Sequence, residues 1–125
     1  MKKNKGIKHL FYAARYSWEG FRALSQETAF CHEMLLGVVA LCAAWFLPHL
    51  SLLWRVFLSL LWLALPTMEI LNTAIEAVVD MITEEYHPLA KKAKDLGSAA
   101  VFCTCIANLI AWLAAFSIVI RGCLQ

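Results

Sequence analysis

The sequence predicts an all-α membrane protein with three transmembrane helices and an N-terminal amphipathic surface helix. Hydrophobic residues make up 62% of the 125 residues and charged residues 16%, against roughly 45–50% and 25% in soluble domains. The excess is gathered into runs, and one of them, Ala99 to Ile120, is 22 residues long without a charge. The third observation is a helical stretch whose few polar residues share one face. A chain of this length has room for one domain, residues 1–125. Its net charge of +2 is too small to point to nucleic acid.

The first element spans residues 6–26. Ile7, Leu10, Phe11, Ala14, Trp18 and Phe21 fall on one helical face, and Lys8, Arg15, Glu19 and Arg22 on another. That division suits a helix lying in the membrane interface, with Tyr16 and Trp18 at the headgroup level. The basic start at Met1-Lys2-Lys3-Asn4-Lys5 is not followed by a cleavable apolar core, so no signal peptide is expected. A first transmembrane helix is placed at 29–48. Its apolar run begins at Met34 and is short for a span of about 20 residues, so Thr28 to Glu33 must add length before Pro48-His49 ends it.

The second span, 52–83, carries Arg55 near its start, where an arginine can snorkel to the interface. Pro66 is expected to kink it, and its far end should emerge into water as a cytoplasmic extension. Glu84 to Gly97 reads as a polar connection, and 98–120 as the third span. Lys2, Lys3, Lys5, Lys8, Arg15 and Arg22 precede the first span, and Lys91, Lys92 and Lys94 lie in the second connection. The first connection has no Lys or Arg. The positive-inside rule then puts the N-terminus and the 84–97 loop in the cytoplasm and the C-terminus outside. Cys31, Cys42, Cys103, Cys105 and Cys123 lie in or beside apolar runs without metal or redox spacing, and read as small packing residues.

The chemistry concentrates in Glu69-Ile70-Leu71-Asn72-Thr73-Ala74-Ile75-Glu76-Ala77-Val78-Val79-Asp80. At roughly 100° per residue, Glu69, Asn72, Thr73, Glu76 and Asp80 share a narrow arc, and apolar side chains fill the rest. Ionisable groups at membrane depth cost several kcal/mol each and by default mark function. Carboxylates along one face can bind a divalent cation, accept a proton or relay protons. The loop His87-Pro88-Leu89-Ala90-Lys91-Lys92-Ala93-Lys94-Asp95 adds the cations a phosphate-bearing partner needs. Phosphoryl transfer consists largely of positioning and charge neutralisation, with a carboxylate to take the nucleophile's proton. Magnesium is commonly held by one or two carboxylates together with substrate phosphates. Neither a Walker A motif nor a kinase Gly-rich loop is present. On the residues alone, a phosphoryl-transfer enzyme and a small ion or proton conduit both stay open.

Glu69-Ile-Leu-Asn72-x-Ala-Ile-Glu76-Ala-Val-Val-Asp80, then Glu85-Tyr86-His87 and Ala93-Lys94-Asp95-x-Gly97-Ser98, closely resembles the prokaryotic diacylglycerol kinase family. Ala13 to Ala23 and Glu27 to Glu33 extend the likeness, which covers roughly residues 8 to 115. The resemblance implies a bacterial inner-membrane enzyme that uses Mg2+ and ATP to phosphorylate diacylglycerol, as a homotrimer with active sites completed between subunits. It implies Glu69 as the general base and Glu76 and Glu27 as metal ligands. It places Tyr16, Glu27, Glu76, Glu85, Tyr86, His87, Lys94 and Asp95 around the nucleotide. Glu33, Glu69, Asn72, Ser98 and Trp112 fall where the family meets its lipid.

Several of these residues also have a structural reading. Asp95 can cap a helix, Asp80 can be solvated or paired with a cation, Lys91 and Lys92 can be a solvated pair, and Trp112 can pack or sit at an interface. Asn108 is expected to hydrogen-bond between helices. Within the family, an undecaprenol kinase shares the carboxylate stripe and is the alternative. Gly97-Ser98 and Glu33 lean toward diacylglycerol.

Overall fold

The computed structural model describes residues 7–26 and 28–125. Among them are four helices and no strand: α1 (Ile7–Leu24), α2 (Thr28–Phe46), α3 (Leu52–Ile82) and α4 (Pro88–Cys123). They fall into two compact units, Met1–Glu33 and Met34–Gln125, with α2 beginning in the first and continuing in the second.

In the first unit α1 leaves Leu10, Phe11, Trp18 and Phe21 exposed. An apolar stripe left uncovered along a helix with a charged opposite face is the arrangement expected at a membrane surface. On the polar face Arg15 Nε donates to Glu19 Oε1 at 2.8 Å. This hydrogen bond, and then the charge of Glu19, raise the Arg15 guanidinium further above its ordinary range. The helix closes as Ser25 N and Gln26 N donate to the carbonyls of Phe21 and Ala23. Glu27 lies outside the described residues.

The second unit is organised by α3 against α4. Both helices are long and apolar enough to cross a membrane, whereas the apolar part of α2, Phe30–Phe46, is shorter. Leu60, Leu63, Leu109, Ile110 and Leu113 face outward and exposed. Side chains of that kind, continuous along two helices, call for lipid or another apolar cover. The protein is an all-helical membrane protein. With 31 residues in α3 and 36 in α4, the helices are about 46 and 54 Å long, well beyond a hydrocarbon layer of about 30 Å. The charged residues of the unit gather mainly where α3 ends and α4 begins, which places the surplus turns there.

The opposite end is closed by packing. Ala44, Leu50, Leu58, Ala111 and Ala115 form its buried cluster, with Trp54, Leu61, Trp112 and Val119 against it. Ser51 caps α3, its hydroxyl accepting from Trp54 N. Arg55 sends Nη2 to the carbonyl of Leu47 at 3.1 Å, so it meets an acceptor just past the last turn of α2. His49, at φ 60°, takes the left-handed conformation that lets the chain reverse between α2 and α3. Gly37 on α2 admits the Trp62 indole of α3, which a Cβ there would displace.

Pro66 is buried within α3, and the helix continues through it to Ile82. Thr67 Oγ1 donates to the Leu63 carbonyl nearby, a local adjustment of the kind that lets a spanning helix tolerate proline. The connection differs from the sequence expectation. Thr83 ends α3, His87 is the N-cap of the next helix, and α4 starts at Pro88, ten residues before the apolar run expected at 98–120. Proline is preorganised for the first helical position, and Ala90, Lys91, Lys92, Ala93 and Lys94 are good helix formers. Asp95 therefore lies inside α4 and caps nothing. The five cysteines are exposed along the helices, not packed inside, because the outer helix faces belong to an apolar surrounding in which a thiol is at home.

Midway along the pair, Asn108 Nδ2 donates to the Leu61 carbonyl of α3 at 3.1 Å and to its own Thr104 carbonyl at 3.0 Å. Replacing Asn108 with Leu is expected to lower thermal stability in detergent by about 0.5–1.5 kcal/mol, the range for interhelical hydrogen bonds in membranes. An unchanged unfolding midpoint would mean that bond contributes nothing.

Candidate functional site

The polar arc of α3 faces the interior side of the pair. Glu69, Asn72, Thr73 and Glu76 are half-buried, while Leu71, Ala74, Ile75, Val78 and Met81 are exposed. A helix placed this way keeps its carboxylates from acyl chains and gives lipid its apolar residues. Asp80, one turn on, is exposed at the charged end. Glu69 lies seventeen residues past Leu52, about 25 Å along the axis.

Two contacts set the register of α4 against α3. Leu61 meets Asn108, and Asn72 meets Gly97. Eleven residues separate Leu61 from Asn72, and eleven separate Gly97 from Asn108, so both fit one antiparallel alignment. It brings Ala100 level with Glu69 and Ala93 level with Glu76. The two α4 residues level with the carboxylates, Ala100 and Ala93, are small.

Gly97 is buried, and a Cβ there would collide with the amide oxygen of Asn72. The missing side chain is what lets Asn72 lie flat between the helices. Its Nδ2 donates to Glu76 Oε1 at 3.0 Å, which fixes which way the amide points and holds one oxygen of the Glu76 carboxylate. The other amide atom, Oδ1, is buried with no hydrogen-bond donor among the described residues. Lower down, Lys94 of α4 places Nζ 2.6 Å from Asp80 Oδ1 of α3. The lysine starts about level with Ile75, and its stem runs back toward the start of α4, as helical side chains do.

The remaining expected residues spread more widely. Asp95 points away from α3 and pairs with Lys91 on the outer face of α4, because one residue turns a helix by about 100°. Glu85 and Tyr86 lie exposed in the turn, where Glu85 N donates to Thr83 Oγ1. His87 Nδ1 accepts from Leu89 N at 3.2 Å, so the neutral ring carries its proton on Nε2. Val79, Ile82, Thr83, Leu89 and Ala93, with His87, line an apolar cavity of about 400 Å³ beside this turn.

Ser98 is exposed beside Gly97. Trp112 is packed against the buried cluster and lies 5.8 Å from Phe116, ring to ring. It is twelve residues above Ala100, about 18 Å along α4, so the fold does not bring it to Glu69. In the first unit Tyr16 is exposed and stacks on Tyr12, and Glu33 is half-buried. Among the described residues no three His, Cys, Asp or Glu side chains cluster as a ready-made metal cage. A cation here would need ligands from its own cargo, as magnesium on a nucleotide has.

Residues 15–116 match the model of the prokaryotic diacylglycerol kinase family. The chain belongs to this family. It is 44% identical over 111 residues to a diacylglycerol kinase of Escherichia coli strain K12, which covers 86% of this chain and 88% of that protein. A diacylglycerol kinase of Sinorhizobium sp is 38% identical over 122 residues, 98% of this chain and 87% of the relative. One from Haemophilus influenzae is 38% identical over 112 residues, 88% and 94%.

Sequence reasoning overlooked Gly97 as the seat of Asn72. The signal was there in the small residues at Ala93 and Gly97, the four-residue spacing that lets membrane helices approach. Gly97→Ala is expected to destabilise the protein by about 1–3 kcal/mol through overpacking. Adding Asn72→Ala should recover most of the loss in the same thermal melt. Equal destabilisation in the single and double variants would place the contact elsewhere.

Proposed function

We propose that the protein transfers the γ-phosphate of ATP to the hydroxyl of diacylglycerol, giving phosphatidate and ADP, with Glu69 as general base. Family membership and relatives named diacylglycerol kinase over most of their length make it a lipid kinase. The observation carrying the chemical assignment is the half-buried stripe of α3, turned toward α4 and ending at Lys94. A membrane-borne alcohol reaches Glu69 from the bilayer, and a nucleotide reaches Glu76 and Lys94 from water. The two substrates meet along one helix face.

Glu69 takes the proton of the lipid hydroxyl as its oxygen bonds to the γ-phosphorus and the bond to ADP breaks. Glu76, with Glu27, would hold the magnesium ion that enters with ATP, and that ion would supply positive charge to offset the phosphates. The donor set fits that role: a carboxylate steadied by Asn72, small neighbours at its height, and a buried amide oxygen with spare accepting capacity. Tyr16, Glu85, Tyr86, His87 and Asp95 complete the nucleotide side of the proposal, and Glu33, Ser98 and Trp112 the lipid side. α2 serves as a third span, α1 rides the surface, and the lysines face the cytoplasm of a bacterial inner membrane. A homotrimer supplies the residues that one chain leaves apart.

An ion conduit needs polar groups continuing across the bilayer. The candidates outside the stripe are Arg55, Thr104, Asn108 and Ser117, and each donates to a backbone carbonyl of Leu47, Ala100, Leu61 or Ala114. Each therefore already has a backbone partner, within α4 for Thr104 and Ser117 and between elements for Arg55 and Asn108.

Glu69→Gln is expected to retain ATP binding and lower kcat by roughly 10²–10⁴-fold, the range for loss of a general base. Glu76→Gln should raise the magnesium concentration needed for turnover or abolish it. Nucleotide binding lost in the first variant and kept in the second would reverse the assignments. Labelled ATP supplied with diacylglycerol or undecaprenol separates the substrates, and preference for the polyprenol would overturn the choice of lipid.

A further inference from the structure

We propose that Asp80 is a positioning residue for the nucleotide: its carboxylate holds the Lys94 ammonium at the open end of the stripe, ready for phosphate. The proposal rests on the reading of Lys94 as a phosphate contact. It starts from the one ion pair that joins α3 to α4 among the described residues, Lys94 Nζ to Asp80 Oδ1 at 2.6 Å. The Arg15–Glu19 and Lys91–Asp95 pairs each lie within a single helix, four residues apart.

The Asp80 side chain is 57% exposed and that of Lys94 38%. An ion pair so open to water contributes little to stability, because solvent screens it and two long side chains must be ordered to form it. Its consequence is geometric. A lysine has four flexible bonds and a point charge that can range widely. Tied to Asp80, its head stays one helical turn below Glu76, about 6 Å along α3, with its stem beside the carboxylate that would carry the metal. An ammonium has three donors. One bond to Asp80 leaves two for phosphate oxygens, so the partner need not be displaced when nucleotide arrives. The other lysines of this region lack such a tether: Lys91 is paired along α4, and Lys92 is exposed.

The acid also discriminates. Standing at the mouth of the stripe, a carboxylate repels anions that bring no compensating cation, and favours a phosphate chain already carrying magnesium. Asp80→Asn should therefore weaken magnesium dependence as well as nucleotide capture.

The test uses the full chain in lipid vesicles or mixed micelles, with ATP and diacylglycerol. Asp80→Asn is expected to raise the KM for ATP roughly three- to tenfold, the cost of ordering a freed long side chain on binding. The kcat, the KM for diacylglycerol and the unfolding midpoint should stay close to those of the parent. Asp80→Glu should restore most of the ATP KM. Lys94→Gln should raise it further, and the Asp80→Asn, Lys94→Gln double variant should be no worse than Lys94→Gln alone. If Lys94→Gln leaves the ATP KM unchanged, the reading of Lys94 fails and the proposal falls with it. If Lys94→Gln raises the KM but Asp80→Asn leaves it unchanged or lowers it, only the positioning role is overturned. A drop in the unfolding midpoint of Asp80→Asn with an unaltered KM assigns the pair to helix packing and overturns it too.

Discussion

The site depends on how closely α3 and α4 approach at Gly97. Between helices in lipid no hydrophobic gain drives association, so close packing and hydrogen bonds must do it. Gly97, Ala111 and Ala115 are buried on α4, and they let the α3 surface come near. At Gly97 the neighbour is a carboxamide whose donor side is spent on Glu76. A larger residue would push Asn72 outward, release the carboxylate and rotate a polar group toward acyl chains. Packing and chemistry are therefore one constraint at this height. The buried Asn72 Oδ1, which has no donor among the described residues, carries a penalty of about 1–3 kcal/mol. Such a cost is tolerated where an incoming group can relieve it.

The two ends of the second unit divide the labour. Far from the carboxylates, the alanine and leucine cluster, the Ser51 cap, the Arg55 bond to Leu47 and the His49 turn close the end of the unit. Several polar groups there are engaged with backbone, as Arg55 Nη2 is with the Leu47 carbonyl and the Ser51 hydroxyl with Trp54 N. At the other end the ionic contacts are exposed, the turn is short, and small side chains stand beside the acids. The buried packing is concentrated away from the carboxylates. That separation follows from the solvent: a bilayer forbids unsatisfied groups at depth, while water at the headgroups lets charges stay available.

Much of this was legible in the chain. The α3 polar arc follows from the 3.6-residue repeat, and its inward turn from the cost of exposing carboxylates to lipid. The amphipathic α1 and the uncharged run of α4 were equally plain. The start of α4 was not. A polar stretch with a proline and three lysines reads as loop when hydropathy is the guide, although its alanines and lysines favour helix. The partner of Asp80 was hidden because a contact between residues 80 and 94 depends on helix register. The roles of Gly37 and Gly97 were hidden for the same reason, since a glycine reveals its use only through what fills the space beside it. Trp112 falls near lipid substrate by resemblance, and within one chain it lies about three helical turns from the level of Glu69.

The early start of α4 changes how the lysines act. In a loop, Lys91, Lys92, Lys94 and Asp95 would share a mobile, generally positive surface. On a helix each has a fixed direction, and neighbours in sequence part company. Lys94 turns to α3 while Asp95, one residue later, turns to Lys91 on the outside. Rigid elements hold reacting groups more accurately than loops do, and phosphoryl transfer gains most of its rate from such placement. His87 and Pro88 make this possible by starting the helix immediately after the turn, with the ring nitrogen accepting from Leu89 N. The same two residues that look like a loop signal in the sequence thus convert a basic segment into an oriented one, and the orientation brings a single cation to the end of the acidic stripe.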